Sequence, residues 1–350
     1  MMTWTISWSW QAPSRIACIA SVEGSMAISS GLELILIESN GDIRWKVDMP
    51  FKVHAMDYNN GILAVLAAHG FYVISTTDGS MLHEGRSTYG GFTDIASRPG
   101  GGWILSGREG QLHLFTHEGK GIRRFDSGKV RRLVGWLDRE HLLWQSGDGK
   151  LWCGRLAQKY QKRILEDRVW SWVTKISAGR LLLQASGGDV WEGIPHPFGW
   201  DNIDRLQTDS LEPMEGVRCG DGWWILGIEG HLTHISTEIQ EEDLVELGKG
   251  MDLGDILEGL TADSMVSATR QGLIRLWNAP HLAQSEREGR FKAAAEAALA
   301  RNWDERRTLF QRARNAEDEG RLSLAVELYQ ALGRNEDVRR LLKRQKEGGE

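Results

Sequence analysis

Three shortages narrow the field. Among 350 residues there are three cysteines, Cys18, Cys153 and Cys219. They are odd in number and far apart, so neither a disulfide framework nor a zinc site is expected. Proline is scarce, at 7 residues, so the 41 glycines, well above the usual share of about 7%, do not come from a low-complexity segment. Tight turns between many short strands would use them. No apolar run is long enough to span a bilayer. Residues 1–10 lack the basic start and continuous apolar core of a secretory signal. A Gly-rich phosphate loop and a GxSxG nucleophile turn are also missing. The expectation is a cytoplasmic protein with no catalytic residue, cofactor or metal.

Net charge is −6. Residues 281–350 hold 15 Lys+Arg and 13 Asp+Glu, so the main body is acidic and the tail faintly basic. Non-specific nucleic-acid binding depends on neutralising phosphates, which an acidic body disfavours.

What the chain does have is a repeat. Short apolar runs, such as 62–66, 103–105, 142–144 and 224–226, are each followed by a few small residues and a glycine. The glycines are Gly31, Gly70, Gly110, Gly149, Gly188, Gly230 and Gly272, with separations of 39, 40, 39, 39, 42 and 42 residues. After each, apolar residues alternate with a period of two, as in a strand. Each glycine is expected to supply positive φ in a tight hairpin. A further strand precedes each pair, and Asn40-Gly41, Asp78-Gly79 and Glu118-Gly119 mark turns to a fourth, the first two as type I′ candidates. Three to four strands in about 40 residues, repeated seven times, predict a mainly β, seven-bladed propeller over residues 1–280.

The seventh unit lacks its fourth strand, while residues 3–10 form an unclaimed one, with Trp4, Ile6, Trp8 and Trp10 alternating against Thr and Ser. This segment is expected to become the outer strand of the last blade and close the ring. The many tryptophans, among them Trp103, Trp144, Trp170, Trp172, Trp191, Trp223 and Trp224, are expected to pack blade against blade.

The segment Gln271-Gly272-Leu273-Ile274-Arg275-Leu276-Trp277-Asn278 resembles the third strand and terminal Trp-Asp of a WD40 repeat, with Asn for Asp. Asn40-Gly41-Asp42-Ile43-Arg44-Trp45-Lys46 resembles the turn and Trp of a quinoprotein-like repeat. The Gly-His dipeptide of WD40 repeats is absent from the expected places, so that family's hydrogen-bonded tetrad is not carried over. The resemblance covers roughly residues 1–280 and implies a protein-interaction platform.

Residues 281–350 turn to Ala, Glu, Arg and Leu, which favour helix. Helices are predicted at 285–301, 304–319, 322–332 and 336–344, with Asn302 and Asn335 as N-caps. Gly320, Ala325 and Tyr329 have the spacing of one tetratricopeptide-like hairpin. Leu324, Val326, Leu332, Val338, Leu341 and Leu342 would form a shared seam.

Histidine pairs carry no metal-ligating pattern: His231 and His234 fall on opposite faces of a strand, and His113 and His117 have no nearby Cys. Glu241-Glu242-Asp243 reads as a solvated loop. Two places suit partner binding. The lengthened unit before blade six contains Pro197, Phe198 and Trp200. There, aromatics on a Pro-stiffened loop either anchor a partner or fold back over their own blade. Arg339, Arg340, Lys343 and Arg344 cluster on the last helix, as a solvated face or as a site for an acidic partner or nucleic acid. The reading that follows is a non-enzymatic scaffold. The alternatives are a ligand-binding or catalytic quinoprotein-like propeller, disfavoured by the lack of convergent acidic or His ligands, and an RNA- or ribosome-associated factor acting through the basic C-terminus.

Overall fold

The computed structural model describes residues 5–279 except 69, 87–89, 157–159, 178, 207–211, 221, 229, 231, 237–241, 244–253, 262 and 270. Toward the C-terminus it describes 310, 313–314, 317, 322–332 and 335–347. The chain divides into two compact units, Met1–Trp136 with Glu140–His281, and Leu137–Arg139 with Leu282–Glu350.

The first unit is a seven-bladed β-propeller. Its strands, numbered β1–β28 in chain order, form seven four-stranded antiparallel sheets. Blade one runs β2 (Ile16–Val22), β3 (Ser25–Ser30), β4 (Glu33–Ile37) and β5 (Ile43–Asp48). The innermost strands of the next six blades are β6 (Val53–Asn59), β10 (Phe92–Ser97), β14 (Val130–Trp136), β18 (Trp170–Val173), β22 (Pro213–Cys219) and β26 (Gly254–Thr261). Glu242 and Asp243, read from sequence as loop, form the short outer strand of blade six, β25, where Ile235 pairs with Glu242. Pairing the backbone of a polar segment with an existing edge needs no apolar side chain, so the sequence pattern did not mark it.

The cores lie between blades. Ala20, Leu34 and Leu36 of blade one pack with Met56, Leu63, Val65 and Tyr72 of blade two. Trp103, Trp144, Trp170, Trp223 and Trp224 are all fully buried. Neighbours in a strand face opposite sides of the sheet. Trp223 therefore packs with Leu182 and Val190 of blade five, while Trp224 packs with Leu257 and Met265 of blade seven. One Trp-Trp dipeptide thus serves two interfaces.

The turns refine the glycine pattern. Gly31, Gly110, Gly149, Gly188, Gly230 and Gly272 have positive φ, but Gly70 does not. Gly70 begins a strand, and a Cβ there would come within 2.4 Å of the Tyr72 ring, so close approach rather than conformation requires it. The Asn40-Gly41 turn is not type I′, because only its glycine has positive φ. Gly41 N–H donates to Glu38 O and Glu38 N–H to Asp42 O, the pattern of a type I turn followed by a bulge. Asp78-Gly79 likewise has positive φ only at glycine. Both central residues have positive φ at Glu23-Gly24 and Asn60-Gly61, which join the first and second strands of blades one and two.

Closure follows the expectation. The last sheet has the order β1 (Thr5–Gln11), β28 (Leu273–Asn278), β27 (Ser264–Thr269), β26. Trp8 and Trp10 lie against a core shared by blades seven and one, which includes Ile19, Met26, Ile35, Val266 and Leu276. Trp8 Nε1 donates to Ser39 O of blade one at 2.8 Å. Ile6 is instead 48% exposed, because the register slips between Ile6 and Trp8 and breaks the simple alternation.

The second unit contains α1 (Leu322–Ala331) and α2 (Asn335–Glu347). Ala325, Val326, Tyr329, Leu332, Val338 and Leu341 form its core together with Ala313. Leu342 is exposed, since the residue after Leu341 turns by a helical step away from the seam. The helices expected at 285–301 and 304–319 lie mostly outside the described residues, as do Asn302, Gly320 and the side chain of Leu324.

Removing residues 1–11 takes away six register pairs and the packing of two tryptophans. The cost is on the order of 5 kcal/mol. A domain of this size should then melt about 10–20 °C lower, measured by thermal denaturation followed by circular dichroism. An unchanged melting temperature would overturn the account of closure.

Candidate functional site

The innermost strands share an irregularity. In each of the seven, the register slips at the same step, from Ile16 to Cys18, Val53 to Ala55, Phe92 to Asp94, Val130 to Arg132, Trp170 to Trp172, Pro213 to Glu215 and Gly254 to Ile256. A bulge bends its strand and re-aims the side chains beside it. Asp94, Arg132 and Glu215 stand immediately after theirs. Asp57 and Glu258 stand two residues further, on the same side of the strand. Lys175 lies just past the end of β18. All six therefore gather around the propeller axis.

Some of these groups strap blades together. Asp57 Oδ2 accepts from Ser97 N–H of blade three at 2.6 Å, and Oδ1 accepts from Tyr58 N–H. Asp94 repeats this one blade on, with Leu133 N–H of blade four at 2.7 Å and its own neighbour Ile95. Arg132 donates to Val173 O of blade five at 3.2 Å and reaches on to Glu215 of blade six at 2.7 Å. An ion pair that passes over an intervening blade shows that these side chains converge across the axis.

Lys175 and Glu258 are different. Both are enclosed by the ring, yet solvent reaches them, Lys175 freely and Glu258 in part. Enclosure disfavours charge on Lys175. Asp57, Asp94 and Glu258 oppose that effect, and its ammonium titrates above the ordinary lysine value. Burial is also the largest influence on Glu258. With Glu215 and Asp57 nearby, it outweighs the attraction of Lys175 and Arg132 and raises the carboxyl to about 7. Burial pushes the Cys18 thiol up to about 12, so it stays a protonated neutral group in this setting. Among the described residues, no group of three or more His, Cys, Asp or Glu is placed to hold a metal ion.

The sequence offered no convergent acidic or His ligands; what the ring gathers is charged groups of both signs, four of them engaged as straps or in an ion pair. Each blade contributes at most one or two of them, so no local motif exists. Residues 57, 94, 132, 175, 215 and 258 nevertheless recur at close to the period of the glycine ladder, which is the signal that could have found them.

The other candidate residues are placed elsewhere. The lengthened unit consists of two long strands, β20 (Val190–His196) and β21 (Gly199–Arg205), joined by a turn at Pro197 and Phe198. Phe198 is 75% exposed. The Arg163 guanidinium lies 4.3 Å from its ring centroid, and the rings of His196 and His141 lie at 5.5 and 6.4 Å. Trp200 is tucked in: a Cβ at Gly193 would come within 2.5 Å of its ring. Its Nε1 donates to Glu166 of blade four at 3.0 Å. In the second unit, Arg340 pairs with Glu317 and Asp337, Arg339 and Lys343 are exposed, and Arg344 lies in α2. His234 packs against Trp224, with ring centroids 4.8 Å apart.

Seven radial sheets closed by the chain's first strand define a β-propeller. Among solved structures the chain is similar to BamB from Moraxella catarrhalis, with TM-score 0.53 and 12% identity over 78% of this chain and 88% of that one. It is also similar to the Cps50 (Swd1) beta-propeller domain from Myceliophteria thermophila, with TM-score 0.64 and 12% identity over 79% and 99%. At such identity the likeness is one of fold. No protein-family model matches the chain, and no curated protein does either.

Glu258 makes a pH-dependent contribution to stability. Its carboxyl titrates near 7 in the folded chain against an ordinary value of 4.5. The native state therefore holds a proton that the unfolded chain has released between those values, and stability from this group falls as pH rises through that window. Glu258→Gln removes the effect. The melting temperature of the variant minus that of the wild type should grow from pH 4.5 to above 7 and then level off. A difference that stays flat across this range would refute the assignment.

Proposed function

We propose that this chain is a non-enzymatic interaction scaffold, in which the propeller recruits a protein partner and the helical unit docks a second. The observation that carries the reading is Phe198. A large aromatic ring three-quarters exposed, at the tip of a two-residue turn and braced by Arg163, loses little freedom when a partner covers it. Its chemistry suits a protein surface with an apolar pocket for the ring and a carboxylate at the rim to meet Arg163. Pro197 stiffens the turn, while Trp200 holds β21 against the neighbouring blade.

The helical unit fits the same reading as one tetratricopeptide-like hairpin. Ala325 and Tyr329 lie in its core, and Arg339 and Lys343 are exposed on α2, where basic side chains suit an acidic partner surface. Arg340 is engaged by Glu317 and Asp337, which leaves less basic surface for RNA than the sequence implies. Three free cysteines suit the reducing cytoplasm.

Phe198→Ala should change the melting temperature by no more than about 2 °C, because an exposed side chain contributes within roughly 0.5 kcal/mol. It should nevertheless deplete specific proteins in affinity purification followed by quantitative mass spectrometry. Identical protein profiles for wild type and variant would overturn the assignment.

A further inference from the structure

The corner beneath Phe198 holds a cation that nothing else in the described chain answers. Arg163 lies in the outer strand of blade four, β17 (Gln161–Glu166), and stacks its guanidinium on the Phe198 ring at 4.3 Å. Its Nη2 is buried and has no hydrogen-bond acceptor. With the described residues Arg163 forms no ion pair and no hydrogen bond. The residue is only half-buried, so the remaining edge of the guanidinium reaches solvent. Enclosed guanidinium groups are ordinarily matched by acceptors, and this one is not.

The carboxylates of the corner are committed elsewhere. Glu140 pairs with Arg155 at 2.7 Å. Glu166 accepts the Trp200 N–H at 3.0 Å and pairs with Arg168 at 3.2 Å. Asp201, exposed on β21, makes no ion pair with Arg163. His196 adds a donor rather than an acceptor: Phe198 N–H donates to its Nδ1 at 3.2 Å, which leaves the ring proton on Nε2. An exposed aromatic ring is thus bordered by donors of positive character, with no acceptor for them.

We propose that this corner binds an acidic, extended segment of a protein partner. An Asp or Glu carboxylate takes the open edge of Arg163, and an aliphatic side chain covers the open face of Phe198. The proposal rests on the reading of Phe198 as a partner anchor and narrows the partner from a surface to a segment. In an extended segment residues two apart share a face, so a carboxylate and an aliphatic group at that spacing meet the guanidinium and the ring together. The carboxylate need not reach Nη2, because neutralising the charge on the open edge offsets the hydration lost on the buried one. The ring shields the pair from water on one side, which strengthens its attraction. A carboxylate fits better than a phosphate: one guanidinium balances one negative charge, whereas phosphate sites gather several Arg side chains.

The test uses the full chain and a random dodecapeptide library displayed on phage, with Phe198→Ala as the counter-selection. Peptides that depend on Phe198 should carry Asp or Glu two residues from Leu, Ile, Val or Met. Arg163→Met keeps an apolar stem under the ring while removing the charge, and should melt within about 2 °C of wild type. By fluorescence anisotropy the selected peptides should bind this variant about tenfold more weakly. Replacing the acidic residue of the peptide by its amide should cost about tenfold on the wild type and little on Arg163→Met, a coupling that places the carboxylate on this guanidinium. Raising sodium chloride from about 50 to about 500 mM should weaken binding to the wild type alone. Equal binding to wild type and Arg163→Met, or Phe198-dependent peptides that lack acidic residues, overturns the proposal and leaves Phe198 as an anchor. A selection without any Phe198-dependent peptide also overturns it, and the scaffold reading then stands or falls on the affinity purification. Binding more than about tenfold tighter with phosphoserine at the acidic position assigns the site to phosphate and overturns the choice of carboxylate.

Discussion

The pairing of β1 with β28 is the constraint on which the molecule depends. Six blades are each built from one continuous stretch of chain and could form in sequence, but a ring is stable only when its last interface is made. That interface joins residues 5–11 to residues 273–278, and Trp8 and Trp10 extend it into the core shared with blade one. The chain's longest-range contact therefore completes the fold. The other interfaces gain their geometry from it, since each blade is held on both sides only once the circle is shut.

Much of this architecture was legible in the sequence because it repeats. One glycine per unit, at turns where an L side chain would be strained, set the number of blades. Alternation set the strands between them. The exceptions share a cause: the period fixes where an element falls, but not how a given residue solves its local problem. Gly70 makes room for Tyr72 rather than bending the chain, and Asn40-Gly41 uses a bulged turn in place of type I′. Phe198 and Trp200 lie two residues apart yet differ in fate, because Gly193 gives the Trp200 ring a place to lie and Glu166 an acceptor for its N–H. None of these choices leaves a pattern that could be read without knowing which strands are neighbours.

The charged axis was invisible for a related reason. A local motif brings its residues together along the chain, whereas a propeller brings together residues one blade apart. Asp57, Asp94 and Arg132 each occupy a similar place in successive blades and each hold the next one. The same bulge that aims them inward recurs in the blades where the position is Cys, Ala, Trp or Ile, so the backbone device is general and the charge is particular. Structural straps account for three of the six charged groups and for the partner of one. Lys175 and Glu258 are left over from that accounting.

Closure by the first strand also has a consequence for how the chain is made. Translation delivers Thr5 long before Asn278, so the segment bearing Ile6, Trp8 and Trp10 emerges with no edge to join and must wait while nearly the whole ring is synthesised. Throughout that interval the nascent protein carries a free, tryptophan-bearing strand at one end and an incomplete set of blades behind it. Both are surfaces on which folding intermediates associate wrongly. The seal that makes the finished ring durable is thus the part of the molecule most dependent on protection during its birth.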